Sequence, residues 1–191
     1  IGLATCTIDD MNDRFDMPAL LYVGDQKYYN SDVAPAVGRV GVRGAGGRRT
    51  IAAYGQDSLF VKKRSFDTDD VAKAIGDSNA FYEQQIQPES VVQALRNMGN
   101  TEAADRGEEL AEKGWTVKHA ISTSTERAIQ HEMGHRFHDV AVGFEFDRMA
   151  QRLHREGWSA VIGRYAASNP SEFVAESMVA YMNGEWELLP D

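Results

Sequence analysis

Residues 123–140, TSTERAIQHEMGHRFHDV, constrain the fold of this chain more tightly than any other stretch. Thr123 and Glu126 have the spacing of a capping box, with Thr123 as the N-cap and the carboxylate reaching back from the third helical position. That start places His131 and His135 well inside a helix. Four residues make just over one turn, so both imidazoles leave the same face and can converge on one ion. Glu132 projects about 100° from His131. From there it can reach a water on that ion without being a ligand. Ile129, Met133, Phe137 and Val140 supply an apolar side, and Gly134 lets another segment approach the helix closely.

Two imidazoles beside a carboxylate are the arrangement expected of a zinc hydrolase, whose metal lowers the pKa of its water towards about 7 while the carboxylate takes the proton. H-E-x-x-H is also short enough to arise by chance in a helix with incidental histidines. A catalytic zinc needs a third protein ligand. His138 lies seven residues from His131, a rise of about 10 Å and too far to share an ion on an intact helix. The longer zincin pattern, with a third His six residues beyond the second, is excluded because position 141 is Ala141. His119 and His154 have no spacing to recommend them and read as surface or packing histidines. The one cysteine, Cys6, is far upstream and reads as a buried small hydrophobe or a terminal bystander.

Carboxylates remain, and residues 169–182, NPSEFVAESMVAYM, supply two. Asn169 before Pro170 is a helix start with Pro in the first position. Phe173, Val174, Met178 and Tyr181 form an apolar face, while Glu172 and Glu176 stand one turn apart on another. Glu172 can complete a capping box with Asn169, and Glu176 can be a solvated charge. Alternatively, one carboxylate binds zinc and the other hydrogen-bonds a ligating His, which would satisfy two acids set in an apolar helix. Spacing alone leaves both options open.

The rest of the chain sets broad limits. Its 191 residues and 42% hydrophobic content suit one globular domain with a core of its own. No run approaches the roughly 18 apolar residues of a membrane span. The formal net charge of −9 argues against a general nucleic-acid surface. A start at Ile1 rather than Met, with no signal pattern after it, points to a piece of a longer protein. The first third reads as strands and loops: a strand over residues 19–25 turning at Gly24-Asp25, a Gly/Arg-rich loop over 38–49, and a hairpin of TIAAYG and SLFVKKRSF about Gln56-Asp57. From Asp67 the pattern becomes helical, with one helix over 67–86, one from Pro88 to Gly99-Asn100, and a charged, solvated one ending at Gly114. Residues 115–122 read as extended. Strands followed by helices suggest α+β in a single domain, 1–191, with no boundary to draw.

The stretches HEMGHRFHD and YAASNPSEFVAES together resemble the catalytic domain of anthrax lethal factor and its relatives, which include the clostridial Pro-Pro endopeptidases. Similar domains are fused to Mu F-like phage head morphogenesis proteins and to some polymorphic toxins. In that group a Tyr follows the HExxH helix, and seven residues on comes a Glu ligand within an E-F-x-A-E helix. Here Tyr165 is followed at that spacing by Glu172, in EFVAE. The resemblance covers residues 123–183, and the chain before it carries no motif that can be named.

The resemblance implies a zincin-like fold and Zn2+ held by His131, His135 and Glu172, with Glu132 as general base. Tyr165 would donate to the oxyanion of the tetrahedral intermediate, and Glu176 would stand behind the ligands as a hydrogen-bond partner. Asp139, one turn after His135, is a further candidate for orienting an imidazole, or else a plain helix charge. Zincins bind peptide as an added strand along a sheet edge above the zinc, and Leu59, Phe60, Val61 and Lys62 are the candidate edge. Lys62-Lys63-Arg64 can equally be charges that keep an edge from aggregating.

The expected function is therefore a zinc-dependent metalloendopeptidase acting on a protein or peptide. Nucleic acid and membrane are not expected partners. The alternatives are a virion assembly module that keeps a structural zinc, or the protease payload of a secreted toxin. Either setting, a phage virion or secretion, is favoured over a free cytoplasmic one.

Overall fold

A computed structural model describes residues 2–16, 20–24, 52–55, 58–62, 69–140 and 144–191. The chain packs as two compact units, one drawn from Ile1–Ile75 and Ser122–Ala141, the other from Gly76–Ile121 and Val142–Asp191. No shift in composition marks these junctions.

The first unit begins with a helix, α1 (Gly2–Phe15), where strands and loops were expected. Its signal is a short periodic run: Ile8 and Met11 are buried, while Asp9, Asp10 and Asp13 between and beyond them are exposed. Arg14 pairs with Asp10 one turn back at 3.0 Å. Cys6 is exposed on this helix, so the buried role offered for it is wrong and it is a bystander near the terminus.

Three strands follow, β1 (Leu20–Gly24), β2 (Ala52–Gly55) and β3 (Ser58–Lys62). The sheet is mixed, in the order β1-β3-β2, with β3 parallel to β1 and antiparallel to β2. Gly55 opposes Ser58, so β2 and β3 form the expected hairpin; its Gln56-Asp57 turn lies outside the described residues, as do 38–49 and Lys63-Arg64. Helix α5 (Thr125–Val140) packs on β2 and β3 and against α1. Met11, Leu59, Phe60, Val61, Ile129 and Met133 are completely buried and form this unit's core. Phe15 meets Phe137 edge-on at 5.5 Å, which accounts for part of the apolar side expected of α5.

This topology corrects the substrate-edge assignment. Leu59, Phe60, Val61 and Lys62 lie on the central strand, whose backbone is paired on one side by β1 and on the other by β2. Leu59, Phe60 and Val61 point alternately to the two faces of the sheet, and all three are completely buried, so β3 is covered on both faces as well as paired on both sides. A peptide cannot be added to a strand whose two sides are already bonded.

The second unit is helical, as expected from residue 67 onward. It takes α2 (Asp69–Gln85) from Gly76 on, then α3 (Pro88–Asn97), α4 (Thr101–Glu112), α6 (Phe144–Arg155), the single turn α7 (Ser159–Ile162) and α8 (Pro170–Met182). Pro88 stands at the first turn of α3, and Gly99 turns the chain with φ +83°. Asn100 then caps α4, its Oδ1 accepting the Ala103 N–H at 3.0 Å. The expectation of a solvated α4 holds for one face only. Ala103, Ala104 and Leu110 are buried, because small side chains let α4 lie close on α3. Residues 115–122 form neither helix nor strand. The core runs through Leu95, Trp158, Val161, Ile162, Ala166 and Val179.

Gly157 ends α6 with φ +92°, and a Cβ there would sit 2.6 Å from Leu95 Cδ2. Leu95 is 1% exposed and has no room to swing aside. Gly157→Ala is expected to cost about 2 kcal/mol through left-handed strain and overpacking. In a thermal melt that is a drop of about 4–8 °C; an unchanged melting temperature would refute this packing.

Candidate metal centre

Helix α5 starts one residue later than the capping box implies. Ser124 is the cap: its Oγ accepts the Arg127 N–H at 3.1 Å, and its carbonyl accepts the Ala128 N–H at 2.9 Å. Ser124 is itself a competent cap, and the third residue after it is Arg127, so no reciprocal carboxylate is available at that position. Glu126 stands instead in the first turn, where the helix dipole favours an acid.

The shift leaves the phasing of the histidines unchanged. His131 is buried and His135 half-buried, and their rings stand edge to face with centroids 4.9 Å apart. Glu132 is half-buried beside them. The neighbouring Gln130 and Arg136 are also buried, and Arg136 donates from Nη1 to the Tyr54 hydroxyl on β2 at 3.4 Å. Asp139 is exposed, the condition of a plain helix charge. The side chain of Val140 lies outside the described residues.

Helix α8 starts as its sequence dictates. Asn169 accepts the Glu172 N–H through Oδ1 at 3.0 Å, and Pro170 opens the first turn. Glu172 is half-buried at the third helical position, with one carboxylate oxygen sealed from solvent. One turn on, Glu176 is completely buried, and its Oε2 accepts the Ile121 N–H at 2.7 Å. The solvated-charge reading of Glu176 is thereby excluded. Phe173, Val174 and Met178 are buried as expected, but Tyr181 is 40% exposed and leans edge-on against Trp186 at 4.7 Å. Tyr181 therefore does not belong to the apolar face.

Tyr165 precedes a turn of 3-10 helix (Ala166–Ser168) and is 36% exposed. Its N–H donates to the His119 carbonyl at 2.7 Å, and its own carbonyl accepts from Ser168 Oγ at 2.7 Å. His154 lies with Nε2 3.2 Å from the Ala167 carbonyl, a packing role. His119, read from the sequence as a surface or packing histidine, packs beside Tyr165, 46 residues downstream of it; what escaped that reading is this pairing and Asn79, which holds His119 in place. No local spacing links them.

Among the described residues, His131, His135 and Glu172 make a group that could hold a metal ion, with one ligand atom from each all within 4.8 Å of one another. Two imidazole nitrogens and a carboxylate oxygen fit zinc, a borderline-soft cation that accepts both donor types and leaves a coordination position open at a three-ligand site. No protein-family model, curated protein or solved structure matches this chain.

Proposed function

We propose that this chain is a zinc-dependent metalloendopeptidase of the Glu-ligated zincin class. The supporting observation is the His131, His135 and Glu172 group, with Glu132 next to its first member on the same helix. Bound zinc supplies Lewis-acid activation of water and of the scissile carbonyl. Glu132 takes a proton from the attacking water and passes it to the leaving amine as the C–N bond breaks. Tyr165, partly exposed and fixed through its backbone, donates its phenolic proton in a hydrogen bond to the oxyanion. Its removal in Tyr165→Phe is expected to lower kcat about 100-fold with zinc content unchanged. Loss of less than about threefold in kcat would take Tyr165 out of the mechanism.

The substrate is a protein or peptide, and the setting that the sequence resemblance favours is a phage virion or a secreted effector. No helix among the described residues is long and apolar enough to cross a membrane. The deciding experiment is zinc stoichiometry on the purified chain, with peptide-library cleavage measured on the same sample before and after chelation. One zinc per chain and chelator-sensitive cleavage are expected. Zinc without cleavage would replace the peptidase with a structural zinc module, and no zinc at all would overturn the reading.

A further inference from the structure

The position of Tyr165 is set from outside its own turn. Asn79, Tyr82 and Glu83 are three and four residues apart on α2 and so share one face. All three engage the segment 115–122. Asn79, buried, accepts the His119 and Ala120 N–H groups through Oδ1 at 2.9 and 3.2 Å and donates from Nδ2 to the Ala120 carbonyl at 3.0 Å. Glu83 accepts from Thr116 Oγ1 at 3.0 Å. The Tyr82 ring lies nearly flat on the His119 imidazole, with centroids 5.1 Å apart and planes 13° from parallel.

The His119 ring then stands 5.8 Å from the Tyr165 ring at 42°. Backbone bonds keep the two chains in step: Arg164 N–H to the Lys118 carbonyl at 3.0 Å and Tyr165 N–H to the His119 carbonyl at 2.7 Å. Arg164 also places its guanidinium 4.7 Å over the Tyr82 ring and donates to the Tyr82 hydroxyl, closing the stack from its far end. A partly exposed tyrosine would otherwise exchange between staggered χ1 wells. A ring braced from one side restricts that exchange and keeps the hydroxyl on one bearing.

We propose that His119, clamped by Asn79 and backed by Tyr82 and Arg164, is a positioning residue for the Tyr165 side chain. The catalytic meaning of this rests on the reading of Tyr165 as the oxyanion donor, but the positioning itself does not. His119→Ala is expected to lower kcat about tenfold with KM within about twofold, and His119→Phe, which restores a flat ring, to recover to within about threefold of the parent. In a Tyr165→Phe background His119→Ala should cause no further loss, whereas a general structural defect would cost the same in both backgrounds.

A 19F spectrum of the chain carrying 3-fluorotyrosine at position 165 tests the contact without any activity. One narrow line is expected in the parent, shifted or broadened by His119→Ala and restored by His119→Phe. A shifted line in a chain that cleaves nothing would uphold the positioning and remove the peptidase reading. An unshifted line, or equal losses in both backgrounds, would overturn the proposal. Should His119→Ala fail to fold, Arg164→Ala, at an exposed side chain on the end of the stack, is expected to give the same pattern in smaller amplitude.

Discussion

Glu132→Gln is expected to lower kcat/KM by about 1,000-fold while one zinc per chain stays bound. The amide matches the carboxylate in shape but cannot take a proton from water, so the substitution removes the proposed general base and little else. Glu132 is half-buried on α5 and is not one of the three residues grouped as metal donors. Its loss should therefore spare metal content, and the melting temperature should move by no more than about 1–2 °C, as for a substitution outside the core. Metal analysis, calorimetry and steady-state kinetics on one preparation separate the possibilities. Activity within tenfold of the parent would assign the base to another residue. Loss of zinc would make Glu132 part of the metal's own support and undo the division of labour between it and His131.

The two helices that carry the candidate site were legible because local rules suffice for each. The 131–135 spacing fixes a shared face whatever the cap does, which is why moving the cap from Thr123 to Ser124 left the histidines in place. Asn169-Pro170 determined the start of α8 and hence the third-position role of the Glu172 N–H. The choice of Glu172 over Glu176 as ligand came from family resemblance, since a helix presents both on one side. Pairings between distant segments left no local trace. The hairpin of β2 and β3 could be read from its turn, but the parallel partner of β3 is β1, separated from it by residues 25–57, so a central strand passed for an edge. The same limit hid the Asn79 clamp on His119, which joins residues 40 apart in sequence by a side chain bonding to backbone. Helix α1 was missed because its periodic signal is short, resting on Ile8 and Met11 with Asp9, Asp10 and Asp13 around them.

The two glutamates of α8 should separate metal binding from folding. Glu172→Ala removes a proposed ligand at a half-buried site, while the capping bond that starts the helix, from the Glu172 backbone N–H to the Asn169 side-chain Oδ1, does not use the Glu172 side chain and survives. Zinc affinity should fall by more than the roughly 10–100-fold typical of losing only a ligand's outer hydrogen-bond partner. The chelated chain should melt within a few degrees of the chelated parent. Glu176→Ala should do the reverse. It strips the acceptor from the Ile121 N–H and empties a site with no solvent access, at a cost of about 3 kcal/mol. Glu176→Gln keeps an oxygen able to accept from Ile121 and should recover part of that loss. Melting curves with and without chelator, beside zinc titrations, read both effects independently. If Glu176→Ala loses zinc while its chelated form melts like the parent, Glu176 is the ligand and the Tyr165 to Glu172 spacing is misassigned by one turn. If neither variant changes zinc binding, no carboxylate of α8 holds the metal, and the proposed catalytic arrangement loses its third ligand.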